Sequence, residues 1–193
     1  MKATRCTSQR PPKTPERTEV IRLADGRELW LRPVHPADAA PIAGGFELLA
    51  DDEVRKRYLH PVKELSLSYL TQLVNIVPGE SFAIVAAEPL PPGEALVGAL
   101  ARLNRDPGQD SAEFAILVSR FVAGQGLGKA LMLRLVEWAK AHGIRRLWGE
   151  VLDDNTAMIE LALALGFRRE TSLESPNLLH VTLDLDPKRK RGR

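Results

Sequence analysis

Hydrophobic positions along the chain fall into short β-prone runs and into stretches where they recur at helical spacing. Val20–Leu23 and Glu28–Arg32 are runs of the first kind, and the Asp25-Gly26 pair between them predicts a hairpin turn. Pro36-Ala37-Asp38 opens a helical stretch reaching about Ala50, with proline at a tolerated early position and acids near the positive end of the helix dipole. A charged helix is predicted over Asp51–Tyr58. A third helix starts after Leu65-Ser66, where Leu67, Leu70, Leu73 and Val74 are spaced for one buried face, and ends before Pro78-Gly79.

Ser81–Ala87 and Ala95–Leu103 read as an antiparallel pair, because the connection between them is too rich in proline to be helical. Ala112–Val118 is a further strand. Gly126-Leu127-Gly128 leads into a helix over Lys129–His142, with Ala130, Leu131, Leu135, Trp138 and Ala139 at helical spacing and Gly143 as the stop. Arg146–Val151 reads as a strand, Thr156–Leu165 as a helix capped by Asn155 and stopped by Gly166, and Phe167–Ser172 and Leu178–Leu185 as closing strands.

With 193 residues, 44% hydrophobic and 27% charged, the chain has the size of one domain with a real core. No apolar run approaches the roughly 18 to 20 residues of a bilayer span, and the first 19 residues hold no signal-peptide core, so a cytoplasmic protein without a membrane partner is expected. The single Cys6 excludes an internal disulfide framework, and the four histidines lie in four separate elements without metal-ligand spacing, so no metal is expected. The formal net charge of +2 hides an asymmetry: residues 20–186 carry 17 bases and 23 acids, a net charge of about −6, while both ends are basic. The expected organisation is a basic, unstructured tail over 1–19, a domain over 20–186 and a basic tail over 187–193. With the positive charge in the tails and not on a folded face, no specific nucleic-acid partner is expected.

Ala123-Gly124-Gln125-Gly126-Leu127-Gly128-Lys129-Ala130 joins a strand to a helix. Glycines let backbone approach a ligand closely, and the first helical turn offers unpaired N–H groups at the positive end of a dipole, a ready site for phosphate or pyrophosphate. The segment is not a Walker loop, since Ala130 stands where Ser or Thr is needed, and not a dinucleotide fingerprint, since Lys129 takes the third glycine's place. A tight structural turn would use the same glycines.

Read together, AEFAILV, GQGLG, the long helix, the next strand and NTAMIELALALGF resemble the core of the GNAT superfamily of acyl-CoA-dependent N-acyltransferases. The similarity extends over about Leu31 to Leu185: LRPVHPAD resembles the opening of these domains, and Tyr58-Leu59-His60-Pro61-Val62-Lys63-Glu64-Leu65-Ser66 resembles a segment of the Pat-type bacterial protein lysine acetyltransferases. Two positions depart from the family. Ala123 replaces the Arg or Gln that opens its pyrophosphate motif, and Ala162 stands where many members place a tyrosine acid. In 193 residues, the nucleotide-binding or synthetase-like domain that some Pat-type members carry is not expected beside this one.

The resemblance implies an α/β (α+β) GNAT fold, a mixed, mostly antiparallel twisted sheet of about seven strands flanked by helices and splayed near Val118 to admit acetyl-CoA. It implies that Gly124, Gln125, Gly126, Leu127, Gly128, Lys129 and Ala130 cradle the pyrophosphate, that the backbone of Ile116, Leu117 and Val118 pairs with the pantetheine arm, and that Asn155 contacts the cofactor. Glu113 is the implied general base: a lysine amine with a pKa of about 10.4 is mostly protonated at pH 7, and a carboxylate beside it helps free the nucleophile. Without the resemblance, Glu113 could equally be a strand-edge surface acid. Arg55-Lys56-Arg57 reads as a solvated charge run, or as a patch for an acidic partner or the cofactor's 3′-phosphate.

The implied reaction is direct acetyl transfer to a primary amine, with a protein lysine as acceptor, plausibly in an acyl-CoA synthetase. Two alternatives stand beside it. A small-molecule amine acetyltransferase would share every cofactor feature, and a non-catalytic CoA-binding sensor would bind the thioester without turnover.

Overall fold

The computed structural model describes residues 18–171, 175 and 177–185. Cys6, nearly all of the 1–19 tail and the whole 187–193 tail lie outside them. Eight strands form one sheet in the order β1-β2-β3-β4-β5-β6-β8-β7, one strand more than the resemblance implies. β1 (Glu19–Arg22) and β2 (Glu28–Pro33) form the expected hairpin, with Gly26 at φ 87° in its turn, a value that favours glycine. After a 3-10 turn at Pro36–Asp38 come α1 (Ala39–Glu47), α2 (Asp51–Tyr58) and α3 (Leu67–Val74), then β3 (Ser81–Ala87), β4 (Val97–Arg105) and β5 (Ser111–Val118). α4 (Leu127–Ala141), β6 (Arg146–Leu152), α5 (Thr156–Ala164), β7 (Arg168–Thr171) and β8 (Leu178–Asp184) complete the fold.

Two hydrophobic layers sandwich the sheet. Leu131, Met132, Leu135 and Ala139 of α4 pack with Ile84, Leu103, Phe114 and Leu147 on one face. Ile42 of α1 and Leu70, Leu73 and Val74 of α3 pack with Val85 and Leu100 on the other. Leu67 departs from the expected buried stripe and is 83% exposed. It is the first residue after the Ser66 N-cap, which accepts from the Tyr69 N–H, so it precedes the turn that reaches the sheet.

Arg32 and Asp38 anchor the α1 entrance: both are buried, and two bonds of 2.7 and 2.8 Å join guanidinium to carboxylate. Asp38 also accepts from the His35 N–H, so it ties β2 to the first helical turn.

Every strand pairing is antiparallel except one. β5 and β6 run parallel, and their register covers only Ser111↔Arg146, Ala112↔Leu147 and Glu113↔Trp148. β5 stays paired with β4 as far as Val118↔Ala99, and β6 with β8 as far as Leu152↔Leu178. The sheet therefore forks at Glu113, five residues before the expected splay at Val118, and Val118 lies along the open edge.

Candidate functional site

Past Glu113, the edge of β5 that faced β6 has no strand partner. Backbone N–H and C=O groups inside a fold need partners, and an extended chain bearing amides fits such an edge. The gap is a cleft of about 440 Å³, lined by Ile116, Leu117 and Val118 of β5, by Gly124, Gly126, Leu127, Gly128 and Lys129 at the start of α4, and by Asn155, Met158 and Leu161 around α5. Gly124 and Gly126 adopt φ of 75° and 80°, a region that side chains disfavour. Gly126 is the N-cap of α4, so the first N–H groups of a 15-residue helix open toward the cleft.

Nine of the eleven residues proposed for the cofactor thus line one cleft. Gln125 and Ala130 do not. The Gln125 side chain turns to the β1–β2 hairpin, where its Oε1 accepts from the Ala24 N–H at 2.8 Å and its Nε2 lies 3.5 Å from Asp25. The Ala130 N–H is spent within the helix on the Gly126 carbonyl. Asn155 caps α5, its Oδ1 accepting from the Met158 N–H at 3.4 Å, while its side of the cleft remains open. Ala162, where many family members have tyrosine, is fully buried.

α2 crosses the mouth of the cleft. Glu53 accepts from the Arg120 N–H just beyond β5, and Arg55 pairs with Asp154 in the loop before α5, so α2 is tied to both banks. Both partners of the second pair are partly exposed, so it orients α2 more than it stabilises the fold. Arg57 and Tyr58, at the end of α2, reach deeper. With Glu113, Ile116, Glu150 and Met158 they line an inner cavity of about 200 Å³ that shares walls with the cleft. Burial pushes the Tyr58 hydroxyl up to about 12, so it stays a phenol at neutral pH.

Glu113 also faces a third space. An outer cavity of about 590 Å³ lies on the α3 side of the sheet, lined by Tyr69, Thr71 and Gln72 of α3, Arg102 and Asn104 of β4, and Glu113 and Ala115 of β5. Its carboxylate has no hydrogen-bond partner among the described residues. Burial is the main reason its pKa is raised. The charges of Glu150 and Asp106 push the same way, and Arg57 opposes them. A raised pKa makes the ionised form a stronger base at neutral pH.

Residues 46–167 match the Acetyltransferase (GNAT) family. The chain belongs to this family. An acetyltransferase of Pseudomonas aeruginosa is 30% identical over 145 residues, which span 75% of this chain and 77% of that one. Among solved structures, the GNAT domain of Streptomyces lividans PAT superposes with a TM-score of 0.77 at 23% identity, over 89% of this chain and 99% of that domain. The Salmonella typhimurium protein yncA, solved with its cofactor acetyl-CoA, superposes with a TM-score of 0.62 at 20% identity, over 82% and 95% of the two chains. The protein is a GNAT acetyltransferase with the mixed α/β fold of that family.

Sequence reasoning missed Arg102, Asn104, Tyr69 and Glu150 as site residues and left Arg57 in a charge run. Arg57 had one readable signal, its position at the end of a helix with acids in the first turn and bases in the last. The others reach the site only through strand register and the placement of α3.

Proposed function

We propose that the protein transfers an acetyl group from acetyl-CoA to a primary amine, a lysine side chain of a protein in the first instance, with Glu113 as general base. The observation that carries the reading is the place of Glu113 at the fork, where one carboxylate borders both the inner cavity leading to the cofactor cleft and the adjoining outer cavity. The cleft fits acetyl-CoA: the α4 N-terminus and its glycines suit a pyrophosphate, and the free edge of Ile116–Val118 suits the amides of pantetheine.

In this reading the acceptor enters through the outer cavity. Glu113 draws a proton from its ammonium, directly or through one water, and the freed nitrogen attacks the thioester carbon. The new C–N bond forms, the nitrogen sheds its second proton to solvent, the C–S bond breaks, and the electron pair leaves on sulfur, which takes up a proton. Fixed backbone N–H groups along β5 suit the oxygen that becomes negative in the transition state. Ala162 offers no acid for the thiolate, so solvent supplies that proton. A protein acceptor is supported by Leu67, 83% exposed and one helical turn from the cavity-lining Thr71, and by the half-exposed Val77 on the cavity's rim. Both sit where a partner surface would lie around an inserted lysine.

The test is free thiol release from acetyl-CoA with two acceptor pools, a mixture of small amines and a protein extract of the source cell. Release with the extract alone, lost in Glu113→Gln, supports the reading. Release with the small amines alone moves the acceptor to a metabolite.

A further inference from the structure

The outer cavity holds an unexpected pair of cations. Arg102 lies opposite Ala115 in the β4–β5 register, one step along the same face from the Asn104↔Glu113 pair. Such diagonal neighbours are about 7–8 Å apart, so a guanidinium and the proposed base share one wall of the cavity. Arg102 is firmly held. Its Nε donates to Asn104 Oδ1 at 2.8 Å, and its Nη1 donates to the carbonyls of Gln72 and Leu73 at the end of α3. Its Nη2 has no partner among the described residues. Arg57 approaches the same space from α2. Its Nη2 reaches the Tyr69 hydroxyl at 3.4 Å, and its guanidinium lies 4.9 Å from the Tyr58 ring centroid.

Neither arginine pairs with a carboxylate among the described residues, although most of the other described arginines do. They feel each other: the pKa of Arg102 is lowered first by burial, and the charge of Arg57 lowers it further while Tyr69 opposes. The two partly buried guanidiniums share the cavity with a single carboxylate, Glu113, on which Arg57 already acts, so the cavity keeps one positive charge in excess that a bound anion balances. Guanidinium groups are the side chains best shaped for a carboxylate.

We infer that Arg57 and Arg102 form a carboxylate subsite of the acceptor cavity, so that the acceptor carries a carboxylate close to the amine presented to Glu113. This rests on the reading of the outer cavity as the acceptor site. It narrows the substrate class: an acidic residue lies beside the acceptor lysine, or the acceptor is a free amino acid whose own carboxylate fills the subsite. A lysine in a neutral or basic setting leaves the excess positive charge of the cavity unbalanced.

Two arms test it. In the first, kcat/KM for acetyl transfer is compared within acceptor pairs that differ only in the anion: a lysine peptide with a neighbouring glutamate against the same peptide with glutamine, and free lysine against lysinamide. The wild type prefers the acid member of at least one pair by about tenfold, and the pair concerned identifies the source of the carboxylate. In Arg57→Gln the preference falls toward one. Arg102→Gln lowers the same ratio, but Arg102 also caps α3, so Arg57→Gln carries the test if Arg102→Gln folds poorly. Equal use of both members of both pairs by the wild type overturns the inference while leaving the transferase reading intact. The second arm needs no turnover. Glutarate raises the unfolding midpoint of the wild type above that in sodium chloride of equal ionic strength, and this rise is lost in Arg57→Gln. Absence of the rise in the wild type also overturns the inference. A rise without transfer to any amine upholds the anion site and rejects the transferase reading.

Discussion

Glu113 of β5 and Trp148 of β6 are the last aligned pair of the parallel ladder, so the proposed base sits at the vertex where the two strands part. The vertex is fixed on both sides. Trp148 Nε1 donates to Asp106 at 2.9 Å, and Ser111 donates to the same carboxylate, which fastens the start of β5 to β6. One residue beyond the vertex, Phe114 closes against Gly149, where an added Cβ would lie 2.8 Å from the ring.

Gly149→Ala is therefore expected to displace Phe114 and with it the neighbouring Glu113. Overpacking of this kind costs about 1–3 kcal/mol. The expected outcome is a lower unfolding midpoint and a fall in kcat larger than the change in KM for acetyl-CoA, measured by calorimetry and steady-state kinetics.

The Arg32–Asp38 pair predicts an acid-labile anchor. Burial opposes ionisation of Asp38, but the hydrogen bonds from Arg32 and the His35 N–H outweigh it and hold the carboxyl below its ordinary 3.8. A lowered carboxylate stabilises fully above its unfolded value, and that stability is lost as pH falls through the folded one. Asp38→Asn leaves Arg32 as a buried unpaired charge and should cost about 3–5 kcal/mol at neutral pH. Denaturant titrations of wild type and variant should converge as the pH drops below about 4.

At the loop proposed to hold the cofactor, Gly126→Ala meets no atom within 4 Å, so its cost is conformational. A left-handed residue with a Cβ loses about 1–2 kcal/mol. The variant should fold with a modestly lowered midpoint and bind acetyl-CoA more weakly by calorimetry, since the α4 N-terminus turns on this residue.

Leu67 and Leu70 separate the predicted stripe from the observed one. Leu67→Ser should change stability by less than about 0.5 kcal/mol, whereas Leu70→Ala, deep under β3, should cost about 2–5 kcal/mol. Chemical denaturation of the two variants compares them directly.

Local signals carried most of the element map. Asp25-Gly26 placed the hairpin, Asp51–Tyr58 forms the helix its charges suggested, and Gly143 and Gly166 stop α4 and α5 in left-handed conformations. Leu67 misled because helical spacing marks a face without showing where the helix first touches the sheet. The fork position was hidden because β5 and β6 are joined through α4, and no local pattern states how many residues of a parallel pair stay in register. The same holds for the site. Glu113 and the glycine loop lie on one continuous segment and could be read together. Arg57 and Arg102 are 45 positions apart and line one cavity only through the fold, which brings the end of α2 beside β4. Gln125 shows the converse: it lies in the loop by sequence, yet its side chain is claimed by a hairpin about a hundred residues earlier.

The most direct test of the account is the pH dependence of acetyl transfer by wild type and Glu113→Gln at saturating acetyl-CoA, with CoA affinity measured in parallel. The raised pKa of Glu113 predicts a wild-type rate that climbs through an apparent pKa above the ordinary 4.5 as the carboxylate ionises. Glu113→Gln should lose about 10²- to 10⁴-fold in kcat and lose that limb, while binding CoA as the wild type does. A Glu113→Gln enzyme that keeps its rate within about threefold, with the same pH limb, would contradict the central claim.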